Sequence, residues 1–146
     1  FNARFDRHGS GVYLLSSLDR DYVALLYLDP ATATKRTVFE VAGDVDLFAL
    51  SPDGQWAAVA ANEGGWRKPY LVPLDGGEPI EIAAPIGTIE QFSWSPDSQS
   101  VAFDLSTIER PAAIHLADLT GEARIVADGD VTHPPATVPA ESRPSK

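Results

Sequence analysis

LSPDGQWAAVAA, residues 50–61, is written again 44 positions later as WSPDSQSVAFD, residues 94–104. Counting back 45 positions from Leu50 reaches Phe5, where FDRHGSGVYLLSS carries a third copy whose turn has drifted. In register, Phe5, Leu50 and Trp94 open the copies, a small or polar turn follows, and Val12, Ala57 and Val101 begin an apolar run. A period of about 40–45 residues holding several short strands marks propeller blades, whereas helical repeats of that length carry a 3.6-residue stripe.

Each copy reads as four strands. The middle one runs DLFAL, QWAAVAA, a loop NEGGWRK, PYLVPL and EPIEIA; the first runs FNARF, GVYLLSS, VALLYLD and RTVFEV; the third runs IEQFSW, SVAFDL, AAIHLAD and ARIVA. Gly, Pro and Asp clusters separate the runs, and no stretch of ten residues carries a helical stripe. The expectation is an all-β chain of β-propeller blades: three four-stranded antiparallel repeats, about 1–43, 44–87 and 88–127, forming an open arc or part of a larger ring. In SPDG, Ser51 and Asp53 suit backbone hydrogen bonding, Pro52 fixes φ and Gly54 takes a positive φ, which closes a tight turn between strands. Asp53 and Asp97 are therefore turn residues before they are a carboxylate pair; they belong to different copies. The sialidase Asp-box fails to match, since Gly follows Asp directly and Thr is absent.

Composition narrows the function classes. With 44% apolar and 22% charged residues over 146 positions, the chain has the makings of a globular core. No run approaches the roughly 18 apolar residues of a membrane span, and no basic-then-apolar leader opens the chain. It starts on Phe1, which reads as a processed or internal start. The compartment stays open, the cytoplasm somewhat ahead of the periplasm or the exterior. Zero cysteines exclude disulfides, thiol nucleophiles and thiolate metal sites. A net charge of -10 argues against nucleic acid, whose binding needs clustered Lys and Arg.

At this point the residues carry a likeness. RDYVALLYLDPATATKRTVFE (20–40), LSPDGQWAAVAANEGGWRKPYLVPLDGGEP (50–79) and FSWSPDSQSVAFDLSTIERPAAIHLADLTGEARIV (92–126) resemble TolB-type propeller repeats. More narrowly, they resemble the last propeller blades of the prolyl oligopeptidase family of serine peptidases. STIERPAAIHLADLTGE is the most specific piece, with its Ser-bearing loop, Arg110-Pro111 and a strand leading to Asp118-Leu119. The resemblance spans about residues 1–127 and implies a propeller that restricts access to an α/β-hydrolase domain carrying a Ser, Asp, His triad. This chain shows no such domain: a nucleophile elbow reads G-x-S-x-G, and Ser10 in HGSGV has the wrong spacing. Nothing orients His8, His115 and His133 together. Asp44 and Asp46, or Asp128 and Asp130, do not fit a calcium loop. No cofactor and no metal is expected.

In a meander, alternate connections share a rim, so LDRDY, NEGGWRKPY and STIERPA fall together and bring Arg20, Arg67 and Arg110 into one arc. Arg binds carboxylates bidentately. The arc either faces a substrate terminus or partner domain, with Trp66 as a stacking surface, or Arg20 pairs with Asp19 or Asp21, Arg67 with Glu63 and Arg110 with Glu109 as solvated pairs. Phe5, Leu50, Trp94 and Trp56 are expected to pack between blades. In the tail, residues 128–146, Pro134, Pro135, Pro139 and Pro144 favour an extended linker or strap. Three blades leave two faces uncovered, so the expected partners are an α/β-hydrolase domain, the remaining blades of a parent protein, or a second copy completing a ring. Two functions follow: a non-catalytic propeller segment that gates or orients peptide substrate for a hydrolase located elsewhere, or a stand-alone TolB-like module for protein-protein interaction. The chain alone is not expected to be an enzyme, and neither membrane nor nucleic acid is expected as a partner.

Overall fold

The computed structural model describes residues 3–128, and its regular elements there are all strands. Twelve follow in order: β1 (Ala3–Phe5), β2 (Val12–Ser16), β3 (Ala24–Asp29), β4 (Thr34–Phe39), β5 (Asp44–Leu50), β6 (Trp56–Glu63), β7 (Trp66–Pro73), β8 (Ile80–Glu81), β9 (Phe92–Trp94), β10 (Ser100–Leu105), β11 (Ala113–Asp118) and β12 (Ala123–Asp128). They make three antiparallel meanders, β1–β4, β5–β8 and β9–β12, so each copy of the repeat is one blade. The expected tail beyond Asp128 lies outside the described residues.

The blades stack face to face, and the opening stretch shows why. Side chains alternate along a strand, so Ala57, Val59 and Ala61 of β6 turn toward the first blade, where they meet Tyr13, Leu25 and Phe39. Ala58 and Ala60 turn the other way and join Val101, Phe103 and Leu105 of the third blade. Both faces are covered, so Ala57 to Ala61 are all fully buried and the strand reads as an unbroken apolar run. Alanine at four of those five positions lets the neighbouring sheets approach closely.

The Ser-Pro-Asp corners fold as turns. Asp53 Oδ1 accepts from Ser51 Oγ at 2.6 Å and from the Gln55 N–H at 3.0 Å, while Ser51 Oγ accepts the Trp56 N–H at 3.0 Å. Asp97 repeats this with Ser95 and Gln99. In the drifted first copy Asp6 stands at the serine position. Its N–H still donates to Gly11 O at 2.8 Å, and its carboxylate accepts from Ser10 N–H and Oγ. The corners also link blade to blade: Arg7 Nη1 donates to Asp53 O at 2.9 Å, and the Asp53 N–H donates to Ser98 Oγ at 3.0 Å.

Ser98 holds a φ of +61° at the position where the other corners place Gly9 and Gly54, and it is buried. Ser98→Ala therefore keeps the strained backbone and strands the Asp53 N–H, at a cost of about 1–3 kcal/mol. Ser98→Gly loses the same acceptor but relaxes φ, so urea unfolding should rank the stabilities wild type, then Gly, then Ala.

Three expectations are corrected. NEGGWRK is not a loop: Gly64 and Gly65, with φ of +70° and +92°, make a two-residue hairpin, and the ladder runs through Asn62↔Arg67 and Glu63↔Trp66. The strand expected over EPIEIA shrinks to Ile80–Glu81, because Pro79 offers no N–H and Pro85 follows soon after. Phe5 does not pack between blades. Leu50 and Trp94 do, Trp94 Nε1 donating to Ala49 O at 2.9 Å. Phe5 is 69% exposed because no described sheet covers the face of the first blade that carries it.

Candidate functional site

The β2–β3, β6–β7 and β10–β11 connections share a rim with the links between blades, as the antiparallel meanders require. Arg20 sits in the first connection and turns back onto its own blade. Nη1 meets Glu40 Oε1 at 2.8 Å and Nη2 donates to Thr37 Oγ1 at 3.0 Å, while Nε is buried with no hydrogen-bond partner. Arg67 lies in β7, where its side chain spans a blade boundary. Nε meets Asp46 Oδ2 at 3.2 Å, and Nη1 donates to the carbonyl of Ile89 on the link to the third blade. Neither arginine pairs with its sequence neighbour. Arg110 occupies the tight turn closed by Thr107 N–H on Arg110 O at 2.9 Å.

Trp66 and Arg110 come together; Arg20 and Arg67 are engaged elsewhere. A groove of about 700 Å³ opens between the second and third blades, with Trp66 and Ile86 on one side, Ile108 and Arg110 on the other, and His115 and Ile125 along its floor. β8 ends at Glu81 and pairs with β7 only at Tyr70 and Leu71, so it does not extend along β7 as far as Trp66. Ile86 is 59% exposed and Ile108 83%, an apolar rim of the kind that marks a contact surface. Sequence reasoning passed over Ile86 and Ile108, and weighed His115 only as a triad member. The available signal was two isoleucines placed in turns rather than strands. His115 is buried and stacks on Phe103 with ring centroids 5.4 Å apart. Its Nδ1 lies 3.3 Å from Ala113 O, which ties the ring to its own strand.

The carboxylates serve the backbone. Asp44 Oδ1 accepts the Val23 N–H at 2.8 Å, and Asp46 is taken by Arg67. Among the described residues no cluster of three or more His, Cys, Asp or Glu converges on a metal position; Asp130 and His133 lie outside them. His8 and His115 belong to the first and third blades, and Ser10 Oγ donates to Asp6. The hydrogen bond from Tyr27 OH to Asp6, at 2.7 Å, with help from Ser10, holds the Asp6 carboxyl at about 2, below its ordinary 3.8. Tyr27 is raised by the same bond. Asp53, Asp97 and Asp118 are lowered likewise, first by the hydroxyls of Ser51, Ser95 and Thr120.

A carboxyl depressed by folding stabilises the native state above its unfolded value, and that contribution is lost as pH falls toward the folded value. Stability should thus drop between about pH 4 and about pH 2. Asp6→Asn should lower stability at neutral pH and flatten that part of the profile, as followed by urea unfolding across the range.

No protein-family model matches the chain, and no curated protein matches it in sequence. In structure it is similar to a putative TolB from Agrobacterium tumefaciens, with a TM-score of 0.66 at 17% identity over 88% of this chain and 50% of that one. It is also similar to Porphyromonas gingivalis dipeptidyl peptidase 4, at 0.69 and 17% over 86% and 18%. A third likeness is to a structure from work on two prolyl endopeptidases, at 0.68 and 13% over 82% and 18%. The chain spans half the length of the first and under a fifth of each peptidase structure. At such identities the likeness establishes the fold, three TolB-like β-propeller blades. Among the described residues no helix is long and apolar enough to cross a membrane.

Proposed function

We propose that this chain is a non-catalytic propeller segment of a larger, prolyl oligopeptidase-like serine peptidase, where it gates or orients peptide substrate for an α/β-hydrolase domain elsewhere in the parent protein. The observation that carries the reading is the groove on the rim of the β6–β7 and β10–β11 connections, which sets Trp66 and Arg110 around one apolar cleft. An aromatic face and a permanently charged fork suit an extended peptide with a carboxylate nearby. The chain contributes shape and charge; the nucleophile and its base belong to the other domain.

The coding sequence beyond Lys146 tests this. A strand, G-x-S-x-G and a helix, then Asp and His, is the expected pattern, and the complete product should hydrolyse a proline-containing peptide ester that the isolated chain leaves intact. A stop codon after Lys146, with a ring-sized particle by light scattering, would instead favour a stand-alone TolB-like interaction module. That second reading draws on the putative TolB, of which this chain spans half.

A further inference from the structure

We propose that the outer edge of β12 accepts a further strand: an extended segment of a partner protein pairs with it and lays every second side chain, apolar, into the groove beside it. The outermost strands of the three blades differ in how their edges are guarded. β4 carries exposed Lys35 and Arg36, and β8 is two residues long; charge and shortness both discourage edge pairing. Among the described residues, β12 is guarded least. It runs for six residues, with Ile125 46% and Val126 45% exposed, and Arg124 is the one cation on it. Both β4 and β12 contain a bulge, at Val38 and Val126, so the bulge does not distinguish them.

The chemistry of that edge selects the occupant. Alternate N–H and C=O groups of an edge strand point away from the sheet, and an extended chain satisfies them in series. Ile125 pairs with His115 and lines the groove, whereas Arg124 pairs with Leu116 and lies on the opposite face. An added strand thus drops aliphatic side chains between Ile125 and Trp66, where β8 has stopped, and sets its polar side chains on the other face. There an acidic residue opposite Arg124 supplies the complementary charge.

The test uses the whole chain and the peptide acetyl-TVDVTV-amide, with amide hydrogen exchange and calorimetric titration. The expected result is binding that slows exchange of the outward amides of β12 by roughly tenfold or more, with no effect on β4. Ile125→Lys, which gives β12 a second adjacent cation as on β4, should weaken binding by about tenfold or more, as should Val126→Pro at the bulge, where the ladder to β11 has no pairing to lose. If the proline variant fails to fold, the lysine variant decides. A copy of the peptide N-methylated at alternate residues should not bind. The proposal is overturned if β12 exchange is unchanged by peptide, or if neither variant weakens binding. It is equally overturned if the amides are already slow in the free chain at every concentration, which would place residues 129–146 on the edge. Slowing that grows with protein concentration alone would do the same, since the occupant would then be a second copy.

Discussion

Phe103→Ala should remove about 3–5 kcal/mol of unfolding free energy, the upper range for a buried aromatic. Phe103 is 2% exposed and, among the described residues, is the largest of the fully buried side chains. It stands on β10 facing the middle blade, among Ala58, Ala60 and Leu71. Its ring meets Phe92 at 5.8 Å and lies parallel to His115 at 5.4 Å. Truncation leaves a hole that rigid sheets cannot close, because Ala58 and Ala60 opposite have no side chain to move in and Leu71 is already packed. A domain of this size holds only about 5–15 kcal/mol in total, so the variant should unfold at markedly lower urea or lose its cooperative transition. The groove should suffer as well, since His115 on its floor is held by the Phe103 ring. Phe103→Leu, which refills most of the volume, should recover more than half of the loss. If the alanine variant unfolds within about 1 kcal/mol of wild type, the second and third blades are not packed through this face.

The blades were legible because they are written in periodicity. Alternation, turn residues and a 44- to 45-residue spacing mark local structure three times over, and errors in one copy are caught by the others. Even the drifted first turn follows: Asp6 replaces the serine yet keeps the same backbone bonds. What the repeat could not convey was anything that breaks it. Gly64-Gly65 reads as a loop until both residues are seen at positive φ, which makes a hairpin. Phe5 occupies the same register as Leu50 and Trp94, but register says nothing about whether a sheet covers that face. The arginines illustrate the limit most clearly. Their spacing placed all three near one rim, whereas their partners, Glu40 for Arg20 and Asp46 for Arg67, lie about twenty residues away along the chain. The groove itself lies beside a shortened β8, and the prolines that bracket that strand, Pro79 and Pro85, do not tell which side chains the shortening leaves exposed.

Gly87→Ala is expected to destabilise the chain by about 3–5 kcal/mol through backbone collision alone. Gly87 is buried in the link from β8 to β9, wedged between two blades. Its carbonyl accepts the Arg67 N–H at 3.1 Å, and the next residue, Thr88, exchanges two backbone hydrogen bonds with Ser106 at 2.8 and 3.0 Å. A Cβ on Gly87 would lie 2.2 Å from Ser106 O, so the link must lift away and those three bonds stretch or break. Gly43 makes a matched case between the first two blades, where a Cβ would lie 2.0 Å from Asn62 O. Gly64→Ala is the control: its φ of +70° strains an alanine, but nothing lies within 4 Å of the added carbon, so its cost should stay near 1 kcal/mol. Because Pro85 and Ile86 precede Gly87 directly and form one wall of the groove, displacing the link should also misplace that wall. Equilibrium unfolding of the three variants separates the cases. Should Gly87→Ala prove no worse than Gly64→Ala, the link is not seated against Ser106, and the groove wall it carries is not fixed by the blade boundary.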